Sequence, residues 1–412
     1  MNAEILCVGT EILLGDIVNT NAAYISKGLA ECGIGCYYQS VVGDNPERLK
    51  TSLEIALNRA EIVIMTGGLG PTYDDLTKET VAVYFGREME LHAPSLEHLT
   101  KIFKRTSREL TDNNKKQAYM PQGATVFHND RGTANGLMVQ GDGKTVILMP
   151  GPPREMTAMF DNSVKPYLLS ISDGVLVSKV IHFYGIGESA LEHELKEYME
   201  THFNPTVAPY AKEGEVQLRV TAKAENAQEA EKLLEPVVKE IVEKFPGLVY
   251  GVDVENLQNA LVQKLMEKKL SIATAESCTA GFVSKRITEV SGSSQVFGCG
   301  VCTYSNDMKI KLLGVNPETL AQHGAVSQET AIEMARGVRK LSGADIGLSV
   351  TGIAGPEGGT EQKPVGLVYI AVSTGSREEV KELMLARGYG GQRELIRYLA
   401  SSNALHLAFA NI

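Results

Sequence analysis

The chain opens on a run from Ala3 to Val8 that is apolar but for Glu4, of the length expected of a strand covered on both faces. From Asn21 to Cys32 apolar residues return at helical spacing, with Ala22, Ile25, Leu29 and Cys32 on one face. Asn45-Pro46 supplies an N-cap and a proline at the first helical position, leading a helix with Leu49, Leu53, Ala56 and Leu57 inward. Two further apolar strands follow, Ile62 to Met65 and residues 145–149, the second running into Pro150-Gly151-Pro152-Pro153 and a helix. This alternation predicts an α/β domain over residues 1–168, a parallel sheet clothed by helices.

The pattern then changes. Ser178 to Phe183 and Glu215 to Ala222 read as strands, and Glu188 to His202 and Ala227 to Lys244 as helices, the second kinked at Pro236. A small α+β module over 169–251 is the economical reading. A KH-like arrangement of these elements would suit nucleic acid, but Gly185-Ile186-Gly187-Glu188 lacks both the GXXG pattern and flanking cations. Phe245 to Gly251 marks a boundary. A third domain, 252–412, begins with Asn256 as cap and Leu257, Leu261 and Leu265 spaced by four. It alternates again: strand 271–275, helix from about 279, strand 298–304, helix 328–341, strands 345–351, 365–372 and 379–386, helix 391–409.

Length agrees with this division, because 412 residues exceed what one core supports. A net charge of -10 without any Lys/Arg block argues against nucleic-acid partners. The N-terminus lacks a basic segment followed by an apolar one, and no apolar run reaches membrane-spanning length, so a cytoplasmic protein without membrane association is expected. Cys299-Gly-Val-Cys302 sits in a strand-like run with no second pair, which reads as buried structural thiols rather than a zinc site.

Candidate chemistry falls at strand ends. Thr66 to Asp75 leaves a strand through Gly67, Gly68 and Gly70 and enters a helix, a geometry whose backbone N–H groups favour phosphate. Asp74 and Asp75 would repel that phosphate unless a divalent cation, Mg or a transition metal, bridged them to it. Thr72-x-x-Asp75 is equally a capping box that needs no ligand. Gly9-Thr10-Glu11, Gly15 to Asn21 and Met149 to Pro153 fall at the same edge of the sheet, which adds Glu11, Asn19, Asn21 and Gly151 to the candidates, although Asn19 and Asn21 could simply be caps.

In the third domain Ser277 and Cys278 stand where a strand turns into a helix, beside N–H groups able to hold an oxyanion. Either could be the nucleophile. His323 and Lys309 are the candidate bases. Spacing alone makes Lys309, which with Lys311 flanks Ile310, an exposed helix lysine; partly desolvated beside a serine it could act as a base. Gly352 to Gly359, after the strand bearing Thr351, could wrap a ribose phosphate or merely make a turn.

The motifs GTEILLGDIVNTNAAYIS, VGDNPERL, TGGLGPTYDDLT and MPGPPREM together resemble the N-terminal domain of the competence/damage-inducible protein A family, which is similar to molybdopterin-binding enzymes. The resemblance implies a phosphate-bearing ligand and metal-dependent hydrolysis of ADP-ribose to AMP and ribose 5-phosphate, with Asp74 and Asp75 as metal ligands. It assigns Glu11, Asn19, Asn21, Gly67, Gly68, Gly70, Thr72 and Gly151 to the nucleotide. AESCTAG, VCTYSNDMK, LAQHGAVS, SVTGIAGPEGGTEQKPVGLVY and GQRELIR resemble the same family's C-terminal domain, an α/β amidohydrolase of nicotinamide mononucleotide that needs no cofactor. This implies Ser277 as nucleophile, Lys309 with Tyr304 as base pair, Thr351 as stabiliser of the amide or oxyanion, and Arg393 on the substrate phosphate. Cys278, Thr279, Gly281, Gly352 and Gly355 would complete that site. A homodimer is expected. The chain departs from the family at Ala280, where glycine is usual, and at Gln392, where an aspartate is usual. Ala280 would crowd the turn only at positive φ. A nucleotide- or pterin-binding scaffold with a silent N-terminal domain is the alternative.

Overall fold

The apolar run Ile62–Thr66 becomes a central strand, and the mixed run Glu378–Met384 an edge. The computed structural model describes residues 1–107, 109–388 and 392–412. They form two compact units, Met1–Val177 with Ala222–Leu233, and Ser178–Thr221 with Leu234–Ile412.

The first unit is built from β1 (Asn2–Val8), α1 (Thr10–Leu14), α2 (Thr20–Glu31), β2 (Gly35–Val42), α3 (Pro46–Arg59), β3 (Ile62–Thr66) and α4 (Thr77–Tyr84). There follow β4 (Met89–Leu91), α5 (Ala93–Arg105), α6 (Asp112–Lys115), β5 (Tyr119–Pro121), β6 (Thr125–Phe127), β7 (Gly136–Gly141), β8 (Lys144–Met149), α7 (Pro153–Met159) and α8 (Lys165–Ile171). The main sheet has the order β2-β1-β3-β8-β7-β6, parallel from β2 to β8 and antiparallel beyond. Strand alternation divides two cores. Ile5, Cys7, Ile64 and Ile147 join Ile25 and Leu29 of α2, while Leu6, Val8, Val63 and Val146 join Leu53 and Leu57 of α3. The chain leaves β1 toward β2 on one side and β3 lies on the other, so β1 ends at a topological switch point, where α/β sheets bind ligands.

The middle segment contains β9 (Val175–Phe183), α9 (Glu188–Thr201), β10 (Thr206–Lys212), β11 (Glu215–Ala224), α10 (Ala227–Lys244) and β12 (Val249–Val252), with sheet order β10-β11-β9-β12. The boundary stretch 245–251 also carries the start of β12, an edge strand antiparallel to β9. α10 continues through Pro236 as one helix, with Ala230, Leu234, Val237 and Ile241 buried along it.

The C-terminal part contains α11 (Leu257–Lys268), β13 (Ile272–Glu276), α12 (Phe282–Thr288), β14 (Phe297–Cys302), α13 (Asn306–Leu313), α14 (Pro317–His323), α15 (Gln328–Ser342), β15 (Ile346–Gly352), β16 (Leu367–Ser373), β17 (Glu378–Met384) and α16 (Arg393–Ala410). Its sheet runs β14-β13-β15-β16-β17, with β13 parallel to both neighbours and the last two strands antiparallel. β13 is therefore a second switch point. β14 is an edge strand with alternating burial, which corrects the expectation for its thiols: Cys299 is half-buried and Cys302 exposed, because a sheet edge covers neither fully. Among the described residues no helix is long and apolar enough to cross a membrane.

Candidate functional site

Ser277 is the first residue beyond β13. Its N–H donates to the Val350 carbonyl of β15 at 2.9 Å, and the Thr303 N–H beyond β14 donates to the Glu276 carbonyl at 2.9 Å, so the turn is strapped to both neighbours. The chain then reverses through Ala280 and Gly281 at φ 48° and 91°. Ala280 thus stands at the positive φ that makes the family's glycine the easier residue, at a cost of roughly 1–2 kcal/mol.

Lys309 overturns the surface reading. It is 0% exposed, because α13 is a short helix that turns the Lys309 and Leu313 face inward, the i, i+4 pair its sequence contains. Nζ lies 2.8 Å from the Thr303 carbonyl, 3.3 Å from the Tyr304 carbonyl and 3.2 Å from Ser277 Oγ. Two carbonyls can only accept, so they take two N–H bonds and leave the third tetrahedral position facing the serine. Burial pushes the lysine pKa down.

Cys278 points the other way. It is buried in the apolar core, and burial raises its thiol to about 12, which removes it as a thiolate at neutral pH. The ring of His323 faces Glu329 at 3.7 Å, and among the described residues no hydrogen bond joins it to Ser277. Tyr304 touches Lys309 only through its main chain; its phenol is exposed and accepts from Arg393 Nη2 at 3.3 Å. Arg393 also donates to the Gly355 carbonyl at 2.6 Å, which joins α16 to the loop after β15. Gln392 does not orient it, since its amide oxygen accepts the Arg387 N–H at 2.7 Å; Gly391 lies outside the described residues. Thr351 is buried and donates to the Ala325 carbonyl at 2.7 Å. Gly352 packs flush against β16, leaving no space for a side chain. The buried hydroxyls of Thr279 and Thr303 have no partner among the described residues.

The helix N–H groups expected beside Ser277 are already committed. Glu276, a fully buried carboxylate that sequence reasoning passed over, accepts from Val283 N, Ser284 N and Ser284 Oγ at 3.0, 2.8 and 2.6 Å. Arg397, also missed, donates from Nε to the Cys278 carbonyl at 3.1 Å and from Nη2 to the Thr279 carbonyl at 2.7 Å. One acid closing a strand of otherwise uncharged residues, and an arginine one helical turn after Arg393, were the available signals.

The N-terminal cleft, about 360 Å³, opens at the ends of β1, β3 and β8 and is lined by Gly67, Gly68, Gly70 and Gly151 with the carboxylates of Glu11, Asp44, Asp74, Asp75 and Glu155. Gly67 and Gly68 have φ of 107° and 67° and press on Val8 and Thr77, so no other residue fits there. Asp75 accepts from both Thr72 N, at 2.9 Å, and the Thr72 hydroxyl, as a capping interaction would. Asp44 is tied to Thr10 at 2.9 and 2.8 Å, and Glu155 to Asn129 at 2.7 Å. Asp74 is exposed, and the Thr72 hydroxyl beside it holds its pKa below the ordinary value. Among the described residues no three His, Cys, Asp or Glu side chains converge as a metal cage.

Asn19 and Asn21 do not line this cleft. Asn19 caps α2 by accepting from Ala22 N at 3.1 Å; Asn21 bridges Thr66 and the Gly151 carbonyl at 3.0 and 2.7 Å, tying β3 to β8. Two unforeseen residues hold the glycine turn by its carbonyls. Lys116 donates to the carbonyls of Thr72 and Asp75 at 3.1 and 2.6 Å, and Gln117 to that of Leu69 at 3.2 Å. Their own segment is anchored by buried Lys78, which reaches the carbonyls of Lys116, Gln117 and Tyr119.

Family models match along the chain: a molybdopterin-binding domain over residues 4–170, the KH domain of damage-inducible protein CinA over 178–251, and the CinA C-terminal domain over 254–412. A CinA-like protein of Kosmotoga olearia is 51% identical over 98% of this chain and 97% of its own. A CinA-like protein of Dictyoglomus turgidum is 50% identical over 99% and 98%. A solved CinA protein from Thermoplasma acidophilum is 36% identical, covering 40% of this chain and 96% of its own, with a TM-score of 0.37.

Proposed function

Because the chain belongs to the competence/damage-inducible CinA family over nearly its whole length, we propose that it is a bifunctional hydrolase of pyridine-nucleotide turnover. The C-terminal site deamidates nicotinamide mononucleotide and the N-terminal site hydrolyses ADP-ribose. The observation that carries the first activity is the buried contact of Ser277 Oγ with Lys309 Nζ at 3.2 Å, with no acidic side chain paired to the lysine among the described residues.

A lysine so placed is kept neutral at lower pH than an ordinary one and takes the serine proton. Ser277 Oγ attacks the carboxamide carbon, the carbonyl oxygen becomes an oxyanion, and its collapse expels ammonia with the proton returned from Lys309. Water then cleaves the Ser277 ester with Lys309 again as base, giving nicotinate mononucleotide. Arg393, which keeps N–H donors beyond the two bonds it makes, faces the substrate phosphate together with the Gly352 to Gly359 loop.

At the N-terminal cleft the glycine turn would receive the pyrophosphate. A hydrated divalent cation held through Asp74 and a second carboxylate, Glu11 or Asp75, would neutralise charge on the phosphates, an arrangement that needs only one or two protein ligands. Water adds across the pyrophosphate to give AMP and ribose 5-phosphate. The commitment of Asp75 to Thr72 favours a second reading, in which this cleft binds a nucleotide or pterin without turning it over.

Incubating the full chain with nicotinamide mononucleotide and with ADP-ribose, each with and without chelator, separates these readings. Ammonia release insensitive to chelator and AMP formation abolished by it are expected. Absence of ammonia contradicts the first assignment, and binding of ADP-ribose without AMP selects the scaffold.

A further inference from the structure

Around the turn after β13 most amides have acceptors: Ser277 N at Val350, Ala280 N at the Ser277 carbonyl, Phe282 N at the Thr279 carbonyl, and Val283 and Ser284 N at Glu276. Those of Cys278 and Thr279, the two that follow the nucleophile, make no hydrogen bond to an oxygen among the described residues, and the Cys278 thiol is the acceptor beside them. The carbonyls of Cys278 and Thr279 are both held by one guanidinium, that of Arg397. A peptide unit is planar with its C=O and N–H opposed, so pinning the Cys278 carbonyl to Arg397 turns the Thr279 N–H to the opposite side. The turn is thus gripped between an anion that takes the α12 N–H groups and a cation that takes the carbonyls. That grip stands against the strain of Ala280 at φ 48°.

We infer that Arg397 is a positioning residue of the amidohydrolase site: by restraining the Cys278 and Thr279 carbonyls it presents the Thr279 amide, with that of Cys278, as the donors that stabilise the oxyanion formed on attack by Ser277. The inference rests on the deamidase reading for its substrate, but not for its geometry. It also gives the two arginines of α16 separate tasks. Arg393 reaches the loop after β15 and Tyr304, while Arg397, one helical turn on, reaches the nucleophile turn.

The test uses the full chain with Arg397→Met, which keeps most of the apolar stem, and Arg397→Lys, which keeps the charge but not the two-pronged geometry. Two readouts are taken: steady-state ammonia release from nicotinamide mononucleotide, and the rate at which a sulfonyl fluoride labels Ser277, followed by intact mass as the Oγ–S bond forms and fluoride leaves. Loss of one oxyanion donor typically costs about 100- to 1000-fold in kcat. Arg397→Met should fall in that range with KM moved less than about threefold and labelling slowed in parallel, and added guanidinium ion should restore part of both. Arg397→Lys should fall between parent and Arg397→Met. Unchanged kcat and labelling in either variant, when its melting temperature matches the parent, overturns the inference. A raised KM with intact kcat also overturns it, making Arg397 a substrate ligand. If the parent releases no ammonia yet labelling of Ser277 depends on Arg397, the deamidase reading falls and the positioning role stands.

Discussion

The turn after β3 and the turn after β13 hold corresponding places in two different sheets, each at the end of a strand beside a switch point, yet they handle charge in opposite ways. Both have carbonyls drawn back by side chains from another element, Lys116 and Gln117 in one and Arg397 in the other. In the C-terminal turn the proposed nucleophile and base are also buried, so Ser277 and Lys309 meet without any ligand. In the N-terminal turn the acids line an open cleft or are spent on Thr72, Thr10 and Asn129. A buried Ser–Lys pair carries its mechanism in its own geometry. A cleft of solvated carboxylates needs its ligand and cation to complete it.

The largest effect that could break this contrast is at Lys309. Lys309→Ala should lower ammonia release by about 100- to 10,000-fold, and Lys309→Arg should not restore it, since a guanidinium does not deprotonate. A base works only when neutral, so the parent rate should rise with pH as Lys309 loses its proton. Because burial lowers its pKa, the midpoint should fall below the ordinary lysine value of about 10.4. A rate independent of pH through that range, or an active Lys309→Ala, would return Lys309 to a packing role.

Asp74→Asn should reduce AMP formation from ADP-ribose by about 100-fold while leaving ammonia release unchanged, as expected for loss of one member of a metal-assisted electrostatic site. Asp75→Asn should in addition lower the melting temperature of the N-terminal unit, because the Thr72 turn loses its acceptor. Equal AMP production by Asp74→Asn and parent rules out Asp74 as a metal ligand.

Burial lowers the pKa of Lys78, which anchors the segment that holds the same turn, to about 8 from 10.5. Between those values the unfolded chain binds more protons at this lysine than the folded one, so its contribution makes stability rise with pH. Below pH 8 the cost of burying the charge is fully present. Unfolding followed from pH 7.5 to 10.5, as about 8 to 10.5 spans the titration, should show parent gaining up to about 3 kcal/mol relative to Lys78→Met, at about 1.4 kcal/mol per pK unit. Parallel pH dependences would place the lysine in a more solvated setting. The smallest effect is Ala280→Gly: relief of positive φ should stabilise by about 1 kcal/mol or less, after the added flexibility of glycine, with deamidation retained. Destabilisation would mean that Ala280 packs favourably despite its φ.

Much of the fold was legible because burial leaves periodic marks. The runs at 3–8, 62–65 and 271–275 became central strands, and Asn45 and Asn256 became caps. β10 and β12 were missed because edge strands need only partial apolar alternation, and the segment from β4 to β7 because its strands are three to six residues long. At the site, the family motifs singled out Ser277 and Lys309, but the burial of Lys309 was invisible, since a lysine's charge argues for the surface unless its carbonyl partners are known. Asn19 behaves as the cap it resembled. Arg397 acts through main-chain carbonyls, whose direction depends on Ala280 and Gly281 adopting positive φ, and spacing does not report that.

The central claim is that Ser277, not its neighbour, carries the chemistry of the C-terminal site. Ammonia release from nicotinamide mononucleotide by Ser277→Ala and Cys278→Ala, measured side by side on the full chain, tests it most directly. The Ser–Lys geometry and the burial of the thiol predict that Ser277→Ala is inactive while Cys278→Ala keeps turning over, with only packing losses. An inactive Cys278→Ala beside an active Ser277→Ala would contradict the account.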